Sequence, residues 1–226
     1  MHIAVNTAVS ADGKLSTHRR EQLRISGSED FDRVDRLRAA ADGILVGVGT
    51  VLADDPHLTL SDEDRRVERL RNGRSGNPAR VIADSSGRTP ADARILDDEA
   101  RTVVLTAETA PDDRHHTLEA AGADVLVAGS DRVDLASAID QLDTQGLDRL
   151  MVEGGGEIIF SLFEAGLVDE LTVYVGSLVV GGDSAPTLAD GTGFTEEFPH
   201  LELTDVDRVD DGVLLSYTVG ETVGRE

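Results

Sequence analysis

Residues 149–165 read Arg-Leu-Met-Val-Glu-Gly-Gly-Gly-Glu-Ile-Ile-Phe-Ser-Leu-Phe-Glu-Ala. Leu150 to Val152 is a continuous apolar run, as a strand buried on both faces requires. Ile158, Ile159, Leu162 and Phe163 fall on one side of a helix, because residues three and four apart share a face. Between them Gly154, Gly155 and Gly156 carry no side chains. The stretch therefore predicts a strand over 149–152, a glycine turn, and a helix over 157–165, which together make one strand-to-helix step of an α/β fold.

The same alternation extends in both directions. Strands are predicted over 3–9, 43–48, 80–84, 102–106, 124–127 and 170–175, with helices over 29–41, 112–121 and 135–142. Phe31, Val34, Leu37 and Ala41 recur at helical spacing, and Ser26 with Glu29 has the Ser-x-x-Glu spacing of a capping box. The last two strands, 201–208 and 213–219, are split by Asp210, Asp211 and Gly212, which reads as a hairpin. Residues 61–78, rich in Asp, Arg, Gly and Asn, read as a long surface loop. No repeat or linker interrupts the pattern. The expectation is one α/β domain over 1–226, with a mostly parallel central sheet and an antiparallel C-terminal hairpin.

Composition sets the environment. With 21 Lys and Arg against 44 Asp and Glu, the net charge is −23, and Lys14 is the only lysine. Such a chain repels itself and a phosphate backbone unless salt shortens the screening length to about 3 Å near 1 M. A high-salt cytoplasm is expected, with no nucleic-acid or membrane partner. There is no cysteine, which excludes disulfides and thiolate metal sites, and the histidines form no ligand spacing. Two basic windows break the acidic background: Lys14, Arg19, Arg20 and Arg24, then Arg69, Arg71, Arg74 and Arg80. Either could hold an anion or be a solvated loop.

Two glycine clusters carry chemistry. Gly47-Val48-Gly49-Thr50-Val51-Leu52-Ala53-Asp54 follows a buried strand, so a bound group can approach backbone N–H donors; Thr50 suits phosphate or ribose, and Asp54 suits sugar hydroxyls. It is neither the dinucleotide fingerprint nor a Walker loop. Gly154 to Gly156 strip the start of the following helix, exposing donors and the positive end of its dipole to a pyrophosphate. Glu153 ends its strand beside them and could receive ribose hydroxyls or relay a proton. Without a metal set or a nucleophile elbow, the hard chemical step falls to a bound cofactor.

Taken as a set, Ser10-Ala11-Asp12-Gly13-Lys14, Arg24-Ile25-Ser26, Gly47 to Pro56 with Leu58-Thr59, Arg80 to Ser85, Glu153 to Gly156, Gly166 to Glu170 and Gly181 to Pro186 resemble the reductases of riboflavin biosynthesis, nearest to their stand-alone archaeal members. The resemblance runs through nearly the whole chain in the family's order. It implies a dihydrofolate-reductase-like fold, a homodimer, and reduction by NADPH (or NADH) of the ribosylamino group of a pyrimidine 5′-phosphate to ribitylamino. Position by position, Ala8, Thr50, Asp54, Ser85, Gly154, Gly155, Gly156 and Glu157 would face the dinucleotide. Arg38, Leu58 and Glu153 would face the substrate, with Arg24 and Ser26 beside it. Glu153 and Asp12 are the candidate proton-handling acids, and Arg88, after the Ser85 turn, is the candidate for the cofactor's 2′-phosphate because Arg grips phosphate bidentately. Two rivals remain at this point: a dihydrofolate or pterin reductase on the same fold, poorly served by 3% aromatic residues and no Trp, and a non-catalytic nucleotide-binding protein.

Overall fold

A computed structural model describes residues 1–21, 23–220 and the backbone of 223–224. In chain order its elements are β1 (His2–Val9), α1 (Ser28–Ala40), β2 (Gly43–Gly47), α2 (Val48–Asp54), α3 (Glu63–Arg71), β3 (Ala79–Ala83) and β4 (Thr102–Thr106). Next come α4 (Asp112–Ala120), β5 (Asp124–Val127), α5 (Leu135–Thr144), β6 (Arg149–Gly154), α6 (Gly156–Glu164) and β7 (Glu170–Val175). The chain ends with β8 (Glu197–Phe198), β9 (Leu201–Val209), β10 (Gly212–Val219) and β11 (Val223–Gly224). Chain packing divides into two compact units, one of Met1 with 35–151 and one of 2–34 with 152–226.

In the first unit β5, β4, β3 and β2 lie side by side, all parallel, with Leu45 opposite Val81 and Val81 opposite Val103. Ile44, Leu45, Ile82 and Leu105 are buried completely or nearly so, which accounts for runs that lack polar alternation. Residues 61–78 are not the expected surface loop. They contain α3, whose first N–H groups at Asp64 and Arg65 are accepted by the Asp62 carboxylate. The sequence Glu-Asp-Arg-Arg-Val-Glu-Arg-Leu-Arg has no apolar stripe, and Leu70 is 60% exposed, so hydrophobic periodicity had nothing to report.

Arginine takes the place of that stripe. Arg69, only 5% exposed, donates through Nη1 to the carbonyls of Ala39 and Ala41, both at 2.7 Å, and through Nε to Ser75. Arg74 donates to the Ala39, Ala40 and Ala41 carbonyls and pairs with Asp42. The last carbonyls of a helix have no partner within it, and cations there also complement the dipole. Burial, with Arg74 nearby, brings the Arg69 guanidinium down to about 10, still charged at neutral pH. Arg80 is fully buried against Asp97. Three arginines of the second basic window thus cap and brace the fold.

In the second unit β1 and β7 are parallel, β7 and β10 antiparallel, and β10 and β9 form the expected C-terminal hairpin. The capping box expected from Ser26 and Glu29 is not what starts α1. Gly27 takes the cap position, accepting from Phe31 N at 3.1 Å, and has no side chain to offer. The orphan N–H groups of Glu29 and Asp30 donate instead to the two carboxylate oxygens of Asp210 in the hairpin turn, at 3.2 and 3.0 Å. A Cβ at Gly27 would lie 2.4 Å from the Asp210 carboxyl carbon, so the glycine makes room for a cap 180 residues distant along the chain.

Candidate active-site residues

The first unit contributes the ends of its parallel strands. Gly47 pairs with Ala83, so α2 and the 84–88 turn leave the sheet from neighbouring positions. Thr50 is half-buried in the first turn of α2, and Asp54 is its last residue. Burial pushes the Asp54 carboxyl above its ordinary value, and among the described residues nothing hydrogen-bonds it. Burial without a hydrogen-bond partner disfavours the charged form of this carboxyl, which accounts for the direction of its shift.

Beyond it, Asp55 caps α2 in the left-handed region, and Leu58, 5% exposed, also has positive φ at 52°. Arg38 donates to the Thr59 carbonyl at 3.2 Å, which brings the expected substrate arginine to the Leu58 segment. Ser85 follows β3, and its hydroxyl accepts from Val133 N. Arg88 projects into solvent, its side chain 60% exposed, with Nε 3.8 Å from the buried Asp84 carboxylate. Asp84 in turn accepts from the backbone N–H and hydroxyl of Thr89, fixing the turn on which Ser85 and Arg88 stand.

The second unit contributes the β6–α6 turn. Glu153 is the penultimate residue of β6 and is half-buried. Gly154 and Gly155 adopt φ of 153° and 90°, conformations that side chains resist, and Gly155 heads α6 with no side-chain cap. Gly156 has a different reason for its missing side chain: a Cβ there would lie 2.4 Å from the Thr187 carbonyl oxygen and 2.6 Å from an Asp190 carboxylate oxygen. Segment 187–190 is tied down by the Asp190 carboxylate, which accepts from Thr187, and by Asp190 N donating to the Gly156 carbonyl. The turn is therefore packed by the protein's own chain at its third glycine, while the first two are required by their backbone conformation. Glu157 is exposed in the first turn of α6.

Ala8 is half-buried near the end of β1, opposite Tyr174. Ser26 is buried ahead of α1. Arg24 is exposed and lies over the Phe31 ring, 5.4 Å from its centroid. Arg19, Arg20 and Arg24 form no ion pair among the described residues, in a chain with 44 acids. Lys14 of the first basic window donates to the Ala185 carbonyl at 3.3 Å. Asp12 is corrected as a proton donor: the Ser10 hydroxyl and the N–H groups of Val180 and Gly181 bring its carboxyl down to about 2, so it is an ionised latch on the 180–181 segment. Sequence reasoning missed the His57–Asp97–Arg80 contacts, which join residues 40 and 17 apart in the chain, and the role of Asp84, whose partner Thr89 is only 5 residues away but makes no periodic pattern with it.

The chain matches the RibD C-terminal domain family over residues 1–215, and it belongs to that family. It is 44% identical over 211 residues to the 2,5-diamino-6-ribosylamino-4(3H)-pyrimidinone 5′-phosphate reductase of Archaeoglobus fulgidus, covering 93% of this chain and 94% of that one. The enzyme of the same name from Methanothermobacter thermautotrophicus is 41% identical over 96% of this chain and 98% of its own. Among solved structures, a pyrimidine reductase-like protein from Corynebacterium diphtheriae superposes with a TM-score of 0.85 at 21% identity, covering 97% of this chain and 92% of that one. Acinetobacter baumannii RibD gives 0.78 at 23% identity, this chain spanning 58% of its length. The fold is that of the RibD reductase domains.

Proposed function

We propose that this protein reduces 2,5-diamino-6-(ribosylamino)-4(3H)-pyrimidinone 5′-phosphate to its ribitylamino form, an oxidoreductase step of riboflavin biosynthesis. The observation that carries the reading is the match, over nearly the full length of both chains, to archaeal reductases of that name at 41% and 44% identity. A nicotinamide dinucleotide, NADPH in preference to NADH, supplies the hydride for C1′ of the opened ribose.

The residues present fit such a group. The unpartnered Asp54 carboxylate suits ribose hydroxyls, and Thr50, Ser85 and Ala8 suit the rest of the dinucleotide. The bare start of α6 at Gly154 and Gly155 offers main-chain donors to a pyrophosphate. Gly156 and Glu157 complete that turn, and Arg88, exposed beside the Ser85 turn, suits the 2′-phosphate. Arg38, Leu58, Ser26 and Glu153 serve the substrate, and the exposed Arg24 favours its 5′-phosphate. Alignment of donor and acceptor carries most of the rate. Glu153 remains the acid for proton handling, Asp12 being held too acidic for that work.

The protein works as a homodimer in a high-salt cytoplasm. For the dimer, the support is β9: the outer strand of its sheet is exposed along most of its length, with Leu203 at 52% and Val206 at 54%. For the salt, it is the net charge of −23.

The test is incubation of the pure protein in molar potassium chloride with NADPH and the ribosylamino pyrimidinone phosphate, following loss of reduced-nicotinamide absorbance. Turnover of dihydrofolate instead would favour a pterin reductase, and saturable NADPH binding without turnover of either substrate a non-catalytic binder. Unchanged preference for NADPH over NADH in Arg88→Ala would remove Arg88 from the cofactor site.

A further inference from the structure

Two of the four residues from Asp55 to Leu58 have positive φ without being glycine, 41° and 52°. Asp55 is accounted for as the left-handed cap of α2. Nothing local accounts for Leu58, whose side chain cannot hydrogen-bond its own backbone and is 95% buried by its 5% exposure. A bend of this kind persists only where the surroundings hold it from outside.

Four ties do so. The Asp55 carboxylate accepts from Arg94 N at 2.8 Å, the Thr59 carbonyl from Arg38 at 3.2 Å, and the Asn77 side-chain oxygen from Leu60 N at 3.0 Å. The fourth is beside the bend itself: His57 Nδ1 lies 3.0 Å from Asp97 Oδ2. Because a carboxylate only accepts, Nδ1 carries the proton of that bond. Asp97 is immobile in its turn, for its other oxygen accepts from Glu99 N at 3.0 Å and from Arg80 Nη2 at 2.7 Å. Arg80 is fully buried and also donates to the carbonyls of Ile95 and Asp97. A fixed cation thus anchors a carboxylate that anchors an imidazole next to the strained residue.

We propose that His57, held by Asp97 and Arg80, is a positioning residue that keeps Leu58 in its left-handed conformation and so shapes the pyrimidine phosphate pocket. This rests on the reading that Leu58 faces that substrate. His57 is partly exposed, and three other ties also hold the segment, so its replacement is compatible with a folded chain. Its loss should relax Leu58 into the commoner conformations and blur one wall of the pocket.

The test is steady-state kinetics of the full chain in molar potassium chloride for wild type, His57→Ala and His57→Asn, the asparagine amide being able to donate to Asp97 in place of Nδ1. The expected result for His57→Ala is a KM for the pyrimidine phosphate raised about tenfold, the weight of one disfavoured backbone conformer. The KM for NADPH and kcat should stay within about twofold, and His57→Asn should recover most of the loss. Partial unfolding lowers the active fraction, hence apparent kcat, and leaves KM alone, so a merely structural role reads differently. An unchanged substrate KM in His57→Ala overturns the assignment while wild-type turnover upholds the functional reading. A wild type that leaves the substrate unreduced overturns both.

Discussion

Replacing Asp210 tests whether α1 is capped from the far end of the chain. Its carboxylate receives the N–H groups of Glu29 and Asp30, and it stands at the positive end of the helix dipole. A cap of this kind contributes about 1–2 kcal/mol. Asp210 has φ of 51°, so alanine would add left-handed strain to the loss, whereas Asp210→Gly removes the acceptors without it. For a chain of this length, Asp210→Gly should lower the melting temperature by about 2–8 °C, read by circular dichroism in molar salt. Gly27→Ala forces a Cβ to 2.4 Å from the Asp210 carboxyl carbon and should cost about as much. Because both variants break one contact, their double mutant should fall well short of the sum. An Asp210→Gly protein that melts with the wild type, or a strictly additive double mutant, would refute the cap.

Gly156→Ala should displace segment 187–190 and weaken dinucleotide binding at least tenfold by calorimetry, since its Cβ would meet the Thr187 carbonyl at 2.4 Å. Asp54→Asn should melt higher than the wild type at pH 7 and bind NADPH more weakly. Its folded-state carboxyl is raised, so Asp54 costs stability as pH climbs through and above the ordinary carboxylate range, and the gap should close at acid pH. Asp12 has the opposite sign. With its carboxyl lowered from 3.8 to about 2, its contribution is full above the ordinary value and lost as pH falls through about 2, so wild type and Asp12→Asn should converge in stability over that interval. Arg69→Met should leave NADPH affinity unchanged while lowering the unfolding free energy by about 2 kcal/mol or more in denaturant titration, because the Ala39 and Ala41 carbonyls lose a buried donor.

The strands of the first unit, the hairpin about Asp210 to Gly212 and the helix after Gly156 were legible in the sequence, since each announces itself through neighbours a few residues away: an apolar run, a turn dipeptide, a stripe at helical spacing. Composition likewise disclosed the −23 charge.

Only the tertiary structure decided what the charged residues do. Arg69, Arg74 and Arg80 look in sequence like Arg19, Arg20 and Arg24, yet the first three are spent on carbonyls at a helix end and on the Asp97 carboxylate. The two acids also part company: Asp12 is locked by three donors, while Asp54 is desolvated with none among the described residues. A side chain's type sets what bonds it can form, and hydrophobic spacing sets which elements arise. Which donor meets which acceptor depends on distances closed by folding, as between Asp210 and α1, and those distances leave no local trace in the chain.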